Sequence, residues 1–166
     1  MRKVTLAALL ALAVPAVALA EDGAPSPTDL AQAACKSEKA QMGTTTFKAT
    51  YTAGSVSGAT KVCVAKRDGG TEIALKNAAK TCKAERTADP AAFAAKYGTN
   101  KNGKNAYGKC VSAKARGLTE QQTTARVNAA KACKKLKADN KADFESTYGT
   151  TKNAFGKCVS KMAKAS

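Results

Sequence analysis

Residues 77–116 read NAAKTCKAERTADPAAFAAKYGTNKNGKNAYGKCVSAKAR, and residues 128–166 read NAAKACKKLKADNKADFESTYGTTKNAFGKCVSKMAKAS. The two stretches share one frame, which runs from Asn-Ala-Ala-Lys-x-Cys-Lys, through Phe and Tyr four positions apart, to Asn-Ala-aromatic-Gly-Lys-Cys-Val-Ser. Agreement of this extent at matching positions is far beyond chance. The sequence therefore predicts that the chain contains at least two copies of one structural unit.

A third, divergent copy is predicted over residues 30–67. What it keeps is the two cysteines and the Phe–Tyr pair, namely Cys35, Cys63, Phe47 and Tyr51. It lacks the Tyr-Gly-Thr and Asn-Ala-aromatic-Gly-Lys signatures, and its Phe lies 12 rather than 11 positions after the first Cys. Because residues 43–60 are rich in Thr, Ser and Gly, a short strand is one interpretation of this middle section.

The six cysteines divide into three pairs separated by 28, 28 and 25 positions. An even count in an exported chain indicates a disulfide framework, although six cysteines permit fifteen pairings in principle. The shared frame favours one bridge inside each copy. The predicted pairs are Cys35–Cys63, Cys82–Cys110 and Cys133–Cys158. In a model of loop-closure entropy, each bridge would stabilise the fold by roughly 3–4 kcal/mol.

The spacing of apolar residues predicts an all-α fold of three tandem disulfide-stapled helical repeats, each with about three helices, the first copy being divergent. In each copy the first and third helices carry the cysteines, and the short second helix carries the Phe–Tyr pair. The predicted segments are a signal peptide at 1–20, a flexible lead-in at 21–29, repeat 1 at 30–67, repeat 2 at 71–116 and repeat 3 at 119–166. A turn is expected between the first two copies, at residues 68–70.

Local sequence signals mark several helix ends. Ser26 and Pro27 predict the start of the first helix, and Asp89 predicts a cap for the second helix of repeat 2. The Thr-x-x-Gln pattern at residues 119–122 resembles a capping box, so a helix start is expected there. Gly98 follows the second helix of repeat 2, where a left-handed backbone conformation commonly ends a helix.

Glycines lie inside the third helix of repeats 2 and 3, at Gly108 and Gly156. A glycine in a helix interior costs about 1 kcal/mol relative to alanine, so its presence needs a reason. Close helix packing around the disulfide is the simpler interpretation. The alternative is a close approach of the backbone to a ligand.

The first twenty residues have the pattern of a secretory signal peptide. Arg2 and Lys3 form a positive start, an apolar run covers residues 4–20, and residues 18–20 supply small side chains for cleavage. The run of 17 residues is slightly short for a membrane span, which favours a cleaved signal peptide. The alternative is an N-terminal anchor that is not cleaved. We therefore expect a protein that is secreted or associated with the cell envelope after cleavage near Ala20.

The remaining chain has few large apolar side chains. It contains fifteen Leu, Ile, Val and Phe residues and thirty alanines. With high net charge, such a composition alone would favour disorder. Alanine is the best helix former, however, and disulfides are how chains with a small core remain folded.

Residue types that carry catalysis are scarce. The chain has no histidine, which removes the commonest general base and most zinc sites. The cysteines lack any Cys-x-x-Cys spacing, and no carboxylate pair recurs between the copies. The sequence therefore predicts a non-catalytic protein without a metal or cofactor, a carboxylate-based hydrolase being a remote alternative.

The positive charge is the feature that bears most on function. The chain carries 28 Lys and Arg against 12 Asp and Glu, a formal net charge of +16. The candidate anion-binding residues are Lys101, Lys104, Lys109 and Lys114 in repeat 2, and Lys152, Lys157 and Lys161 in repeat 3. The expected partner is an anionic cell-wall polymer or a membrane surface, bound by multivalent contacts.

Other interpretations of the charge stay open. Lysine also favours helices and keeps a chain with a thin core in solution, so the charge need not be functional. A secreted antimicrobial or inhibitory protein is the alternative function. Few arginines and no tryptophan argue against a reader of specific nucleic-acid sequences. The sequence leaves the oligomeric state open.

The C…YGT…NA[FY]GKCVS frame resembles a group of uncharacterised secreted actinobacterial proteins that are rich in Ala and Lys. The resemblance covers residues 77–166 well and the first copy poorly. It implies an exported bacterial protein and supplies no active residue.

Overall fold

The computed structural model describes residues 23–165, and this part of the chain is all-α with three disulfides, as predicted. The predicted signal peptide at 1–20 lies outside the described residues. The helices are α1 (Pro27–Met42), α2 (Thr44–Tyr51), α3 (Val56–Ala88), α4 (Pro90–Tyr97), α5 (Ala106–Asp139), α6 (Lys141–Tyr148) and α7 (Ala154–Lys164). None of these helices is both long and apolar enough to cross a membrane.

The predicted caps of α1 and α4 are confirmed. The Ser26 side chain accepts a hydrogen bond from the Asp29 amide while the Asp29 carboxylate accepts one from Ser26, which completes a capping box. Asp89 accepts a hydrogen bond from the amide of Ala92, and Pro90 stands at the first position of α4. These contacts satisfy amides that would otherwise lack partners at a helix start.

Helices α3 and α5 form the long antiparallel centre of the fold. Gly70 of α3 faces Gln122 of α5, and the Cys82–Cys110 bridge joins the C-terminal part of α3 to the N-terminal part of α5. Helix α1 runs parallel to α5, since Gly23 lies beside Ser112 at one end and Glu38 beside Arg126 at the other. Helix α7 lies antiparallel to the C-terminal half of α5.

Each disulfide lies in its own small core cluster, together with a Phe–Tyr pair from a short helix. The bridges join the cysteines in the predicted pairs, Cys35–Cys63, Cys82–Cys110 and Cys133–Cys158. The ring centroids of the aromatic pairs are 4.9, 5.0 and 5.2 Å apart, a separation favourable for tilted rings. The short helices α2, α4 and α6 therefore cover the bridges with aromatic rings.

The turn expected at residues 68–70 and the helix start expected at residues 119–122 are wrong, because α3 and α5 run through these residues without interruption. Residues 68–70, expected as a turn, lie inside α3, and residues 119–122, expected as a helix start, lie inside α5. The Thr119 hydroxyl donates to the carbonyl of Ala115 instead of capping a helix. A continuous helix keeps its backbone hydrogen bonds and leaves no orphan groups to cap at the boundary.

Three smaller expectations also need correction. Residues 27–29 belong to α1, so the lead-in is shorter than 21–29. The middle of the first copy forms α2 rather than a strand, because Phe47 and Tyr51 bury one helical face. Gly98 has φ −72°, which is not left-handed, and its amide closes α4 by donating to the Ala94 carbonyl. Gly149 makes the same hydrogen bond at the end of α6 with φ 89°.

Close packing explains one of the two helix glycines, Gly156, although the contact is made with α2 of the first copy. A Cβ atom at Gly156 of α7 would lie 2.5 Å from the carbonyl oxygen of Thr50 in α2. The glycine therefore allows α7 to contact the backbone of α2 directly. Gly117, inside α5, has no atom within 4 Å of such a position.

These two glycines form a matched pair for a stability measurement. We expect Gly156→Ala to lower the free energy of unfolding by about 1–3 kcal/mol, because the added methyl must push α7 away from α2. We expect Gly117→Ala to raise it by about 0.5–1 kcal/mol, since alanine favours the helix and meets nothing. Urea unfolding followed by circular dichroism measures both changes. A stabilised Gly156→Ala variant would contradict the packing of α7 on α2.

Candidate anion-binding groove

The candidate lysines of the second copy lie at the Cys82–Cys110 end of the molecule. Lys101 and Lys104 are exposed in the connection between α4 and α5, and Lys109 is exposed in the first turn of α5. Lys114 is different, because its Nζ lies 2.7 Å from Oε1 of Glu85. This contact raises the pKa of Lys114 and ties the side chain to a carboxylate.

The candidate lysines of the third copy lie at the opposite end. Lys152 precedes α7, while Lys157 and Lys161 are exposed on it beside the Cys133–Cys158 bridge. The two bridges meet α5 at Cys110 and Cys133, about 35 Å apart along the helix at a rise of 1.5 Å per residue. The structure therefore separates the candidate lysines into two groups, one at each end, rather than one patch.

Between these ends, side chains of α3, α5 and α7 line an open groove of about 610 Å³, which we call the central groove. Its lining comprises Lys66, Arg67, Gly70, Gln121, Gln122, Ala125, Arg126, Ser160, Ala163 and Lys164. Four of these residues are cationic, and the remaining polar ones are two amides and a hydroxyl. The lining contains no carboxylate, so every charged side chain that lines the groove is positive.

A buried charge network lies beside the groove and positions its arginines. Glu38 of α1 is fully buried, and its carboxylate forms ion pairs with Arg67 of α3 and Arg126 of α5. The Nε of Arg126 is 3.3 Å from Oε1, and the Tyr51 hydroxyl donates to the same oxygen at 2.8 Å. The Arg126 guanidinium also lies 5.3 Å from the centre of the Tyr51 ring. Four helices thus meet at one carboxylate.

Burial and the neighbouring Glu38 raise the pKa of Tyr51 to about 12. The hydroxyl therefore stays protonated and continues to donate its hydrogen bond throughout the neutral range. Burial opposes the charge of Arg126, but Tyr51 and Glu38 together raise its pKa above the ordinary value. Both effects keep the Tyr51 hydroxyl protonated and the Arg126 guanidinium charged.

The network is not balanced in charge or in hydrogen bonds. Two arginines share one carboxylate, and the side chains of Arg67 and Arg126 are only 6% and 20% exposed. The Nε of Arg67 and the Oδ1 of the adjacent Asp68 are both buried without a hydrogen-bond partner. Asp68 follows Arg67 in α3 but does not line the groove, and no ion pair joins it to a cation among residues 23–165. The side chains that line the groove itself therefore carry only positive charge.

The corresponding positions at the other two bridges differ. Glu38 and Arg67 stand three residues after Cys35 and four after Cys63. At the second bridge, the same offsets give Glu85 and Lys114, at the partly exposed surface. Lys114 and Tyr97 lower the pKa of Glu85 there through hydrogen bonds. The third bridge has the apolar pair Leu136 and Met162, packed in its core cluster.

Sequence reasoning missed the residues of the central groove. Lys66, Arg67, Arg126 and Lys164 were not among the candidate lysines, because they belong to different copies. One signal was available in the sequence. Glu38 lies three residues after Cys35 and Arg67 four residues after Cys63, so each lies on the same helix face as a cysteine that forms a buried disulfide. Arg126 had no such signal, since it lies 88 residues from Glu38 along the chain.

Comparison with known proteins found no matching family model, no similar curated protein and no similar solved structure. Residues 23–165 hold no group of three or more His, Cys, Asp or Glu side chains that could bind a metal. The candidate site therefore rests on the geometry and charge of the groove.

Proposed function

We propose that this chain is a non-catalytic, exported protein that binds anionic polymers of the cell envelope through many lysine and arginine contacts. The observation that supports this best is the excess of cations without carboxylate partners. Ion pairs join carboxylates to seven cations of the described part: Arg67, Lys76, Lys96, Lys114, Arg126, Lys135 and Lys141. The other lysines and arginines between residues 23 and 165 have no carboxylate within 4.0 Å.

The placement of these cations supports multivalent contact with a long partner. The two bridges beside the lysine groups meet α5 about 35 Å apart by the helical rise, and the central groove is lined by α5 residues between them. A polymer with regularly spaced anions can contact such sites together, which multiplies weak affinities. A small ion could contact only one of them.

Export and the copy structure belong to the same proposal. The three disulfides fit an extracellular protein. We propose that the segment before Glu21 directs secretion and that the three bridged segments arose as copies of one unit. The resemblance to secreted actinobacterial Ala/Lys-rich proteins supports the same origin.

Membrane disruption, the commonest antimicrobial mechanism, has less support. Lytic helices expose a wide apolar face that enters the lipid. Ile73 is the one large hydrophobic residue between 23 and 165 that is strongly exposed, at 60%. Many of the other apolar side chains pack in the three core clusters around the disulfides.

Retention on isolated cell walls tests the proposal. The mature, oxidised protein is expected to bind walls at low salt and to be released by a modest rise in salt, since surface charges are screened. The test variant replaces by glutamine four lysines from the two groups at opposite ends of the molecule: Lys101, Lys104, Lys152 and Lys157. The control variant removes equal charge from four exposed but ion-paired lysines: Lys76, Lys96, Lys135 and Lys141.

We expect the test variant to lose about 10-fold in affinity and the control variant clearly less, because ion-paired lysines already have a partner. Wild-type protein that passes unretained over walls at low salt would overturn the proposed function. Equal losses in the two variants would contradict the role of the lysines at the two ends of the molecule.

A further inference from the structure

We propose that the central groove is a discrete binding site for the phosphate groups of a phosphodiester polymer. This inference rests on the proposed function and deepens it, since it names the anion that the groove recognises. Lys66, Arg67, Arg126 and Lys164 supply the charge, while Gln121, Gln122 and Ser160 supply neutral hydrogen-bonding groups.

The first argument is the unbalanced charge at the groove wall. Arg67 and Arg126 are largely buried against the single carboxylate of Glu38, and the lining adds Lys66 and Lys164 without any acidic residue. Buried charges require compensation, and an anion in the groove would supply it.

The second argument is that one arginine is held in place before any ligand binds. Glu38 accepts from the Nε of Arg126, and the ring of Tyr51 lies beside the guanidinium. A guanidinium carries five N–H donors, so others remain for a ligand after the contact with Glu38. A donor already ordered by its protein contacts loses less entropy on binding than a free side chain.

The third argument is that, of the three equivalent positions after the second cysteine of each bridge, only the one at the first bridge holds an arginine, Arg67. The equivalent cation at the second bridge is Lys114, which is partly exposed, and the third bridge has Met162 there. Guanidinium groups bind phosphate through paired, parallel N–H donors and are more weakly hydrated than ammonium groups. Arginines are therefore the better choice where a phosphate group must be bound away from bulk water.

The shape of the groove favours a chain over a single ion. A volume of about 610 Å³ is far larger than one phosphate group requires. The lysines Lys66 and Lys164 come from different helices and are both exposed, so they can contact phosphates on either side of the central one. A phosphodiester chain carries such charges at regular intervals, whereas a free phosphate ion does not.

The test measures binding of inorganic phosphate, poly(glycerol phosphate) and acetate to the mature oxidised protein by calorimetry, with NMR spectra of the arginine Nε–H groups. The variant Lys66→Gln/Lys164→Gln removes charge from the groove without altering the buried network. The control variant Lys80→Gln/Lys131→Gln removes equal charge from exposed lysines outside the groove.

We expect the polymer to bind more tightly than inorganic phosphate, acetate to bind most weakly, and both phosphate ligands to shift the Arg126 signal. The groove variant should lose about 10-fold in affinity for the polymer, and the control variant less than about two-fold. Circular dichroism melting checks that both variants remain folded.

Equal losses in the two variants, or an Arg126 signal that does not respond to phosphate, would overturn the groove as a phosphate site. Inorganic phosphate binding as tightly as the polymer would overturn the chain-binding inference. The proposed function fails separately, if cell walls do not retain the wild-type protein. Walls that retain the groove variant as well as wild type would refute only the groove inference.

Discussion

Replacement of Glu38 by leucine is expected to lower the free energy of unfolding by about 3–5 kcal/mol, because it leaves two largely buried arginines without their carboxylate. Arg67→Met should also destabilise, though less, since Arg126 still pairs with Glu38. Neither loss comes from a cavity, because both replacements are similar in volume to the residue they replace. Urea unfolding followed by far-ultraviolet circular dichroism measures both values.

The third bridge suggests how the loss can be reversed. Leu136 and Met162 follow the cysteines of the third bridge by three and four positions, as Glu38 and Arg67 follow those of the first bridge. The double variant Glu38→Leu/Arg67→Met transfers that apolar pair, and we expect it to be more stable than Glu38→Leu alone. The coupling energy between the two sites should exceed about 1 kcal/mol, as found for buried residues in one network.

An exposed ion pair provides the control for this cycle. Glu72 and Lys76 lie one turn apart on α3, both more than half exposed. The cycle Glu72→Leu/Lys76→Met is expected to show a coupling of about 0.5 kcal/mol or less. Additive effects of the Glu38 and Arg67 substitutions would contradict the buried network.

Removal of a disulfide is the second large effect that we expect. Cys82→Ser/Cys110→Ser opens a bridge that spans 28 positions, which should lower the free energy of unfolding by roughly 3–4 kcal/mol in a loop-closure model. The bridge stands alone at its end of the molecule, whereas the other two clusters share contacts with Met42. Thermal melting of the oxidised variant measures the loss.

Reduction of all three bridges gives a stronger test of the same point. Their combined contribution approaches the ~5–15 kcal/mol that stabilises a whole domain, so we expect the reduced protein to unfold. The variant Lys83→Ser is the control, because it introduces a serine at an exposed position next to Cys82 and leaves the bridge intact. A reduced chain that melts at the temperature of the oxidised one would contradict the role of the bridges.

Much of the fold could be predicted from local sequence. The cysteine pairs, the aromatic short helices and the caps at Ser26 and Asp89 all follow from residues close together in the chain. The candidate site could not be predicted to the same degree. The lysines at the two ends were identified, but the central groove combines residues from α3, α5 and α7.

The sequence by itself determined the all-helical fold and its disulfides, because helix periodicity, capping and loops of under thirty residues act over short distances. Only the tertiary structure decided that α3 and α5 run unbroken between the bridged segments. It also decided that Glu38 meets an arginine 88 positions away. Such contacts depend on how whole helices pack, and the groove between them exists only after that packing has formed.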